Sequence, residues 1–366
     1  KLLKMKFIDE YRDPSLAKSL LRHITAAAER LPAPVTIMEI CGSHTHAIGR
    51  FGIRKLLPDN IRLISGPGCP VCVTSARDVD TGLYFASLSN VIFATFGDML
   101  RVPGSDGKSL QKKRAEGADV RVVASADECI GIALSHPTKE VVMMGIGFET
   151  TAPTLAAVIS TCRKNNIRNF SVFSVHKIVP PAICVLLADP DLKIDGFLCP
   201  GHVSTMIGAN AYRMIPDAGR AAVIAGFEPV DILESIWMLL QQIESQKYDV
   251  AIQYSRGIKP EGNLRAMALL RSVFRIADSD WRGLGIIPQS GLTIREEFSA
   301  FDTLKKFHAP DIAISDIPGC GCGDILRGIK EPEDCPLFKK VCTPANPVGP
   351  CMVSSEGTCS TYYKYS

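Results

Sequence analysis

Cys41-Gly42-Ser43-His44-Thr45-His46 places one thiol and two imidazoles within six residues. A thiolate and imidazoles so close together ligate a soft or borderline metal, and a Cys–His pair also activates a thiol as a nucleophile. The plain structural alternative is a buried cysteine beside two histidines that cap backbone groups. One thiolate and two imidazoles make an incomplete structural site, so a metal held there keeps open positions, as a catalytic or transient ion requires. Cys69-Pro70-Val71-Cys72 is the second motif. Its Cys-x-x-Cys spacing suits a reversible disulfide or half of a metal site, with a structural role as the third option. Val73 to Leu88 reads as a helix, and a thiol near a helix N-terminus has its thiolate favoured by the dipole and the free N–H groups. Glu149, in Gly147-Phe148-Glu149-Thr150-Thr151, could bind a metal, hold a histidine or move a proton. The same stretch reads equally well as a helix start.

The remaining chemistry sits in the tail. Of 13 cysteines, six fall in the last stretch: Cys320, Cys322, Cys335, Cys342, Cys351 and Cys359. An odd number of cysteines makes a disulfide framework a weak explanation, and metal binding or thiol chemistry a stronger one. Four of these thiolates would hold a [4Fe–4S] cluster, and Cys335-Pro336 is a pairing common beside such clusters. Zinc is the rival, although zinc sites usually show two tight Cys pairs and the tail has none. From about residue 285 the chain is rich in Gly, Pro and Cys, so a metal would help this part fold. Cys129, Cys162 and Cys184 fall in helical patterns and read as small packed residues. His23, His136 and His308 read as structural or exposed.

Short apolar runs alternate with helix-length segments and must position these groups. The candidate strands are Val35–Ile40, Ile61–Ser65, Val91–Thr95, Val120–Ala124, Val141–Ile146, Phe170–Val175, Gly196–Leu198 and Ala221–Ala225. Runs apolar on both faces indicate buried parallel strands in βαβ units. The expected fold class is α/β, with two similar four-stranded parallel-sheet domains facing each other across a cleft and a Cys-rich C-terminal iron–sulfur domain. The expected boundaries are residues 1–135 (an N-terminal helix from Pro14 to Arg30, then the first four strands), 136–245 (the last four) and 246–366 (the tail domain). An echo of Gly147-Phe148-Glu149 in Gly226-Phe227-Glu228 agrees with duplication. Parallel strands send their C-terminal ends to one edge, where open α/β sheets bind ligands. Two such edges would line a cleft with Cys41, His44, His46, Cys69, Cys72, Asp98, Glu149 and His202.

A net charge of +3 is nearly balanced and gives no support to nucleic-acid binding. The chain has no Walker A motif and no Gly-x-Gly-x-x-Gly opening a helix, so nucleotide binding has no support either. No apolar run is long enough to span a bilayer. Lys1 to Tyr11 lacks the apolar stretch of a signal peptide. A cytoplasmic protein without membrane contact is the expectation.

Taken together, the motifs resemble the HypD family of maturation factors for [NiFe]-hydrogenases. The shared text comprises Cys41-Gly-Ser-His-Thr-His46, Gly66-Pro-Gly-Cys-Pro-Val-Cys72, Gly147-Phe-Glu-Thr-Thr151, Pro200-Gly-His-Val-Ser204, Ala225-Gly-Phe-Glu-Pro229, Trp281-Arg-Gly-Leu-Gly285 and Met352-Val-Ser-Ser-Glu-Gly357. It runs from about Phe7 to Tyr363. The resemblance implies a scaffold with redox chemistry, rather than a conventional turnover enzyme, on which iron gains two cyanides and one carbon monoxide as a transient Fe(CN)2CO group. It implies the small chaperone HypC as a partner and HypE as the thiocyanate-bearing cyanide donor. It implies Cys41 as an iron ligand shared with a HypC cysteine, His44 and Glu149 near the iron, and Cys69 and Cys72 as a redox pair. Cys322, Cys335, Cys342 and Cys359 are the implied cluster ligands, with Cys351 a more credible substitute than Cys320. The tail is expected to pack against the first α/β domain, bringing the cluster near Cys69 and Cys72. Two rivals remain at this point: an iron–sulfur disulfide reductase acting on a partner protein, and a zinc-stapled binding module.

Overall fold

The computed structural model describes residues 9–312 and 318–366. Most of Lys1 to Tyr11, on which the expectation about a signal peptide rests, lies outside the described residues. Nine strands build two wholly parallel sheets: β1 (Val35–Glu39), β2 (Ile61–Ser65), β3 (Val91–Thr95), β4 (Val120–Val122), β5 (Glu140–Gly145), β6 (Phe170–Ser174), β7 (Gly196–Pro200), β8 (Ala221–Ala225) and β9 (Val250–Ile252). All eight expected strands are among them, and every pairing is parallel.

The strands do not divide in chain order, which corrects the expected split into a first four and a last four. One sheet runs β2-β1-β7-β8-β9 and the other β4-β3-β5-β6. The chain therefore leaves the first sheet after β2, completes the second, and returns at β7. The reason this was hidden is local: each βαβ unit looks alike in sequence, and nothing in a buried strand's composition says which sheet it joins. Residues after 246 also depart from the expected tail domain. Val250–Ile252 extends the first sheet, and Phe274–Trp281 (β10) pairs antiparallel with Gly285–Ile294 (β11).

Alternate residues of the strands feed three cores. Met38, Ile64, Phe197 and Ile224 of one sheet meet Phe93, Val142, Met144 and Phe173 of the other in a shared central core, joined there by Cys69, Cys72 and the tail cysteines Cys322, Cys335, Cys342, Cys351 and Cys359. Ile37, Leu63, Leu198 and Val223 face outward onto the helices Pro14–Ala28 and Pro229–Ser245. Val141, Met143 and Val172 face outward onto the helices Ala152–Lys164 and Leu264–Val273 and onto the hairpin. The two sheets thus face each other, as expected, across a buried seam. Asp13 caps the N-terminal helix, accepting from the N–H groups of Ser15 and Leu16, with Pro14 at its first turn. Among the described residues no helix is long and apolar enough to cross a membrane.

Each sheet reverses its strand order once. In the first the switch lies between β1 and β7, in the second between β3 and β5. The segments leaving those four strands are Cys41–His46, Gly201–Ser204, Gly97–Asp98 and Gly147–Thr151. These are the motifs that sequence alone singled out, and they stand where open α/β sheets form ligand crevices.

Candidate functional site

Strand β1 ends in a carboxylate, and the thiol follows two residues later. Glu39 is fully buried although the rest of its strand is Val-Thr-Ile-Met. Its Oε2 accepts the Cys41 N–H at 3.1 Å, and its Oε1 accepts the Thr45 hydroxyl at 2.5 Å. Burial pushes the Glu39 carboxyl up to about 7, partly offset by hydrogen bonds from Ser65 and Thr45. Glu39 was missed in the sequence; its only signal is a charge in an apolar strand directly before the thiol.

Cys41 occupies the N-cap position of the helix Gly42–Arg50, in extended conformation. Burial pushes its thiol up to about 12, the Glu356 carboxylate adds to this, and the N–H groups of His44 and Ser43 oppose it. A buried thiol of this kind ionises when a cation or partner compensates the charge. His44, on the first turn, has no exposed surface. Its Nε2 donates to the Gly226 carbonyl at 2.9 Å and lies 3.3 Å from the Ala225 carbonyl. Carbonyls only accept, so the proton is on Nε2. Nδ1 is left as a lone pair without a hydrogen-bond partner. Burial pulls the His44 imidazole down to about 4, which keeps it neutral. Phe227 lies between His44 and His202, with ring centroids 4.8 Å and 3.9 Å away.

Gly68 is required by this packing. A Cβ there would lie 2.1 Å from the Cys41 nitrogen and 2.3 Å from the Ile40 carbonyl carbon, and backbone cannot yield as a side chain would. The Gly42 N–H also donates to the Gly68 carbonyl at 2.9 Å. Gly68→Ala is expected to destabilise the chain by about 3 kcal/mol, the upper range for overpacking. A denaturant midpoint unchanged from wild type would refute this.

Cys69 and Cys72 stand on the matching edge of β2, in the short turn Pro70–Val73. Their sulfurs are 2.8 Å apart, and the Cys72 N–H points at the Cys69 sulfur at 3.4 Å. The expected long helix instead begins at Ala76, capped by Ser75. The dipole argument for a stabilised thiolate therefore fails at Cys72: burial, first of all, pushes its thiol well above the ordinary value.

The tail completes the thiol array. The Cys322 and Cys351 sulfurs are 2.9 Å apart, and Cys351 neighbours Cys72 as Cys320 neighbours Cys322. Cys320, Cys322, Cys335 and Cys342 lie within electrostatic reach of Cys359, Cys322 most strongly, and Cys320 and Cys335 within reach of Cys342. The Gly321 N–H approaches the Cys335 sulfur at 3.5 Å and the Val348 N–H the Cys342 sulfur at 3.4 Å, as thiolate ligands favour. Among the described residues no three His, Cys, Asp or Glu side chains are gathered as a closed metal site. The expected packing of the tail beside Cys69 and Cys72 is what the structure shows.

The other expected cleft residues divide. His46 turns to the tail, its Nδ1 donating to the Ser355 carbonyl at 3.1 Å. Asp98 is exposed and accepts the Ser354 hydroxyl at 2.8 Å. Glu149 is buried; Oε1 accepts the Val179 N–H at 3.0 Å, while Oε2 has no partner. Burial pushes Glu149 up to about 7, and it lines an apolar cavity of about 490 Å³ with Ile178, Pro180, Leu270 and Phe274. Buried Tyr212 is within electrostatic reach of both Glu149 and Cys41. Cys129 and Cys162 are packed as small apolar residues, as expected, whereas Cys184 is exposed.

Two parallel sheets closed on a thiol-lined seam, with a cysteine-rich tail laid against it, define a thiol-bearing α/β protein of the doubly wound class. The family profile described as HypD, "Hydrogenase formation hypA family", matches residues 15–366. Hydrogenase maturation factor HypD2 of Bradyrhizobium diazoefficiens is 45% identical over 99% of this chain and 97% of its own length. Hydrogenase maturation factor HypD of Escherichia coli is 44% identical over 99% and 98%. A putative hydrogenase expression/formation protein of Methanocaldococcus jannaschii is 44% identical over 96% and 98%. The chain belongs to the HypD family of hydrogenase maturation factors.

Proposed function

We propose that this chain is the scaffold and redox component on which the iron of a [NiFe]-hydrogenase receives its two cyanides and carbon monoxide, in complex with a HypC-type chaperone and with a HypE-type protein as cyanide donor. The observation that carries the reading is the gathering of the paired Cys69 and Cys72 sulfurs and the paired Cys322 and Cys351 sulfurs in one core, at the end of the strand that pairs directly with the one leading into Cys41. A disulfide reductase has no use for a buried Cys41 on the same helical turn as an imidazole nitrogen without a partner, and a zinc staple has no use for the paired thiols Cys69 and Cys72.

The cargo iron is read as bound by the Cys41 thiolate, with the His44 Nδ1 lone pair beside it and Glu149 farther off. Releasing cyanide from a thiocyanate breaks an S–C bond and consumes two electrons and one proton, giving a thiol and cyanide. Oxidation of the Cys69–Cys72 dithiol to a disulfide yields two electrons and two protons, so the sum leaves one proton over. Sulfurs in contact need little movement to reach a bonded separation of about 2.05 Å.

The Cys322 and Cys351 sulfurs are 2.9 Å apart, and Cys320, Cys322, Cys335 and Cys342 all lie within electrostatic reach of Cys359. Cys335, Cys342 and Cys359, with a fourth thiol from Cys320-Gly321-Cys322, would hold a [4Fe–4S] cluster; Cys320 is read as that fourth because Cys322 already faces Cys351, whereas the family resemblance implies Cys322. When bound, the cluster supplies single electrons at low potential. The chain's own contribution is to keep Cys335, Cys342 and Cys359 buried and Cys320 partly so, and to supply N–H donors to two of these sulfurs.

Anaerobically purified complex is expected to carry about four irons in the tail plus the cargo iron, with infrared bands of iron-bound cyanide and carbon monoxide. One zinc, no iron and no bands would remove the proposal in favour of the zinc-stapled module. A cluster without bands, together with turnover of a partner's disulfide, would favour the reductase.

A further inference from the structure

The tail does more than bring sulfur to the seam. Between the buried Cys351 and Cys359 runs Ser354-Ser355-Glu356, and each residue holds a different part of the Cys41 edge. Ser354 donates to Asp98 at 2.8 Å, beyond β3. The Ser355 carbonyl accepts from His46 at 3.1 Å, one turn into the Cys41 helix. Glu356 Oε1 accepts the Ser43 hydroxyl at 2.6 Å. A Cβ on Gly42 would lie 2.5 Å from the Glu356 Cβ and 2.8 Å from its Oε2. The residue after Cys41 is therefore glycine because this carboxylate occupies the space a side chain would need.

Glu356 consequently stands at the first turn of the Cys41 helix, against the residue that follows the thiol. Glu356 is half-buried, and Ser43 holds one of its two oxygens. Two anionic donors set side by side repel each other unless a cation lies between them. A further acceptor, the unpartnered Nδ1 of fully buried His44, belongs to the same helical turn.

We propose that Glu356 is a residue of the iron-receiving site, its free carboxylate oxygen joining the Cys41 sulfur in binding incoming ferrous iron. This rests on the reading of Cys41 as the iron ligand and deepens it. The charges decide the choice of residue. A ferrous ion with one thiolate and one carboxylate is neutral, and a neutral assembly is far cheaper to hold in a largely buried crevice than a charged one. Oxygen and sulfur together suit a borderline cation that arrives hydrated. Two protein donors leave the remaining positions open for the diatomic ligands and for a partner's thiolate. Because Glu356 lies on the segment between two tail cysteines, the site is complete only when the tail is folded.

The test uses the full chain with its tail cluster, titrated anaerobically with isotopically labelled ferrous iron, the only iron that Mössbauer spectroscopy then sees. Affinity follows from competition with a ferrous chelator. Glu356→Gln keeps an oxygen for the Ser43 hydroxyl but removes the charge. It is expected to bind the labelled iron about tenfold more weakly or worse and to change its quadrupole splitting. Ser43→Ala, which frees the carboxylate without neutralising it, is expected to weaken binding by a smaller factor and serves should the first variant fold poorly. Cys41→Ala is run beside them. If it loses the labelled iron while both other variants bind like wild type, Glu356 is not in the site and only this inference falls. If Cys41→Ala itself keeps the iron, the reading of Cys41 falls and takes this one with it.

Discussion

Cys41→Ala is expected to abolish the infrared bands of iron-bound cyanide and carbon monoxide in the purified complex while the protein stays folded. The two halves of that statement have separate grounds. Cys41 is almost wholly buried but small, and it contributes little apolar area, so removing its sulfur costs about 1 kcal/mol, an ordinary core truncation. The hydrogen bond from its backbone N–H to Glu39 survives, and so does the Gly42–Gly68 bond that fixes the turn. Loss of the bands thus reports loss of a ligand. The Cys41 sulfur opens the segment leaving β1 at the switch point of the first sheet, whereas Cys199 of β7 is packed into the central core and the Cys69 and Cys72 sulfurs face each other 2.8 Å apart. Bands of undiminished strength in the variant would show that iron is held elsewhere. A thermal midpoint lowered by many degrees would show that the residue is structural.

Much of the site was legible in the sequence because its elements obey local rules. A strand apolar on both faces is buried, its C-terminal end carries the motif, and parallel strands collect those ends on one side. That logic needs no tertiary information and places Cys41, Cys69, Asp98, Glu149 and His202. Three things escaped it. The interleaving of the sheets is one, since Val91–Thr95 and Val35–Glu39 have the same composition of buried strand and differ only in what they pair with. The behaviour of Cys72 is another: helix propensity suggested a dipole-stabilised thiolate, but the helix breaks at Thr74 and burial wins. The third is the carboxylates. Glu39 and Glu356 lie 317 positions apart and converge on Cys41 from either side of the chain. Spacing can reveal chelates within one segment, but not those closed by a tail that folds back.

The tail sets the family resemblance beside the geometry. The resemblance implies Cys322 as a cluster ligand, with Cys320 two residues away biting the same iron poorly. Cys320 is proposed instead, because Cys322 has a partner. Its sulfur lies 2.9 Å from that of Cys351, and Cys351 neighbours Cys72, on the side leading to β2. Cys320 is the least buried of the six and, like Cys322, lies within electrostatic reach of Cys359. Single alanine substitutions separate the two arrangements. Cys320→Ala is expected to lose the brown colour and most of the roughly four irons of a cluster. A segment as poor in apolar residues as 318–366 would then become sensitive to protease, since binding energy of the metal is folding energy for such a piece. Cys322→Ala and Cys351→Ala are expected to retain colour and iron. They should instead block reduction of the Cys69–Cys72 pair by an external low-potential donor, which thiol labelling followed by mass measurement reads directly. A colourless Cys322→Ala beside a brown Cys320→Ala would establish the ligand set that the family resemblance implies. It would also make Cys351 an isolated thiol, with no thiol pair between Cys72 and the cluster.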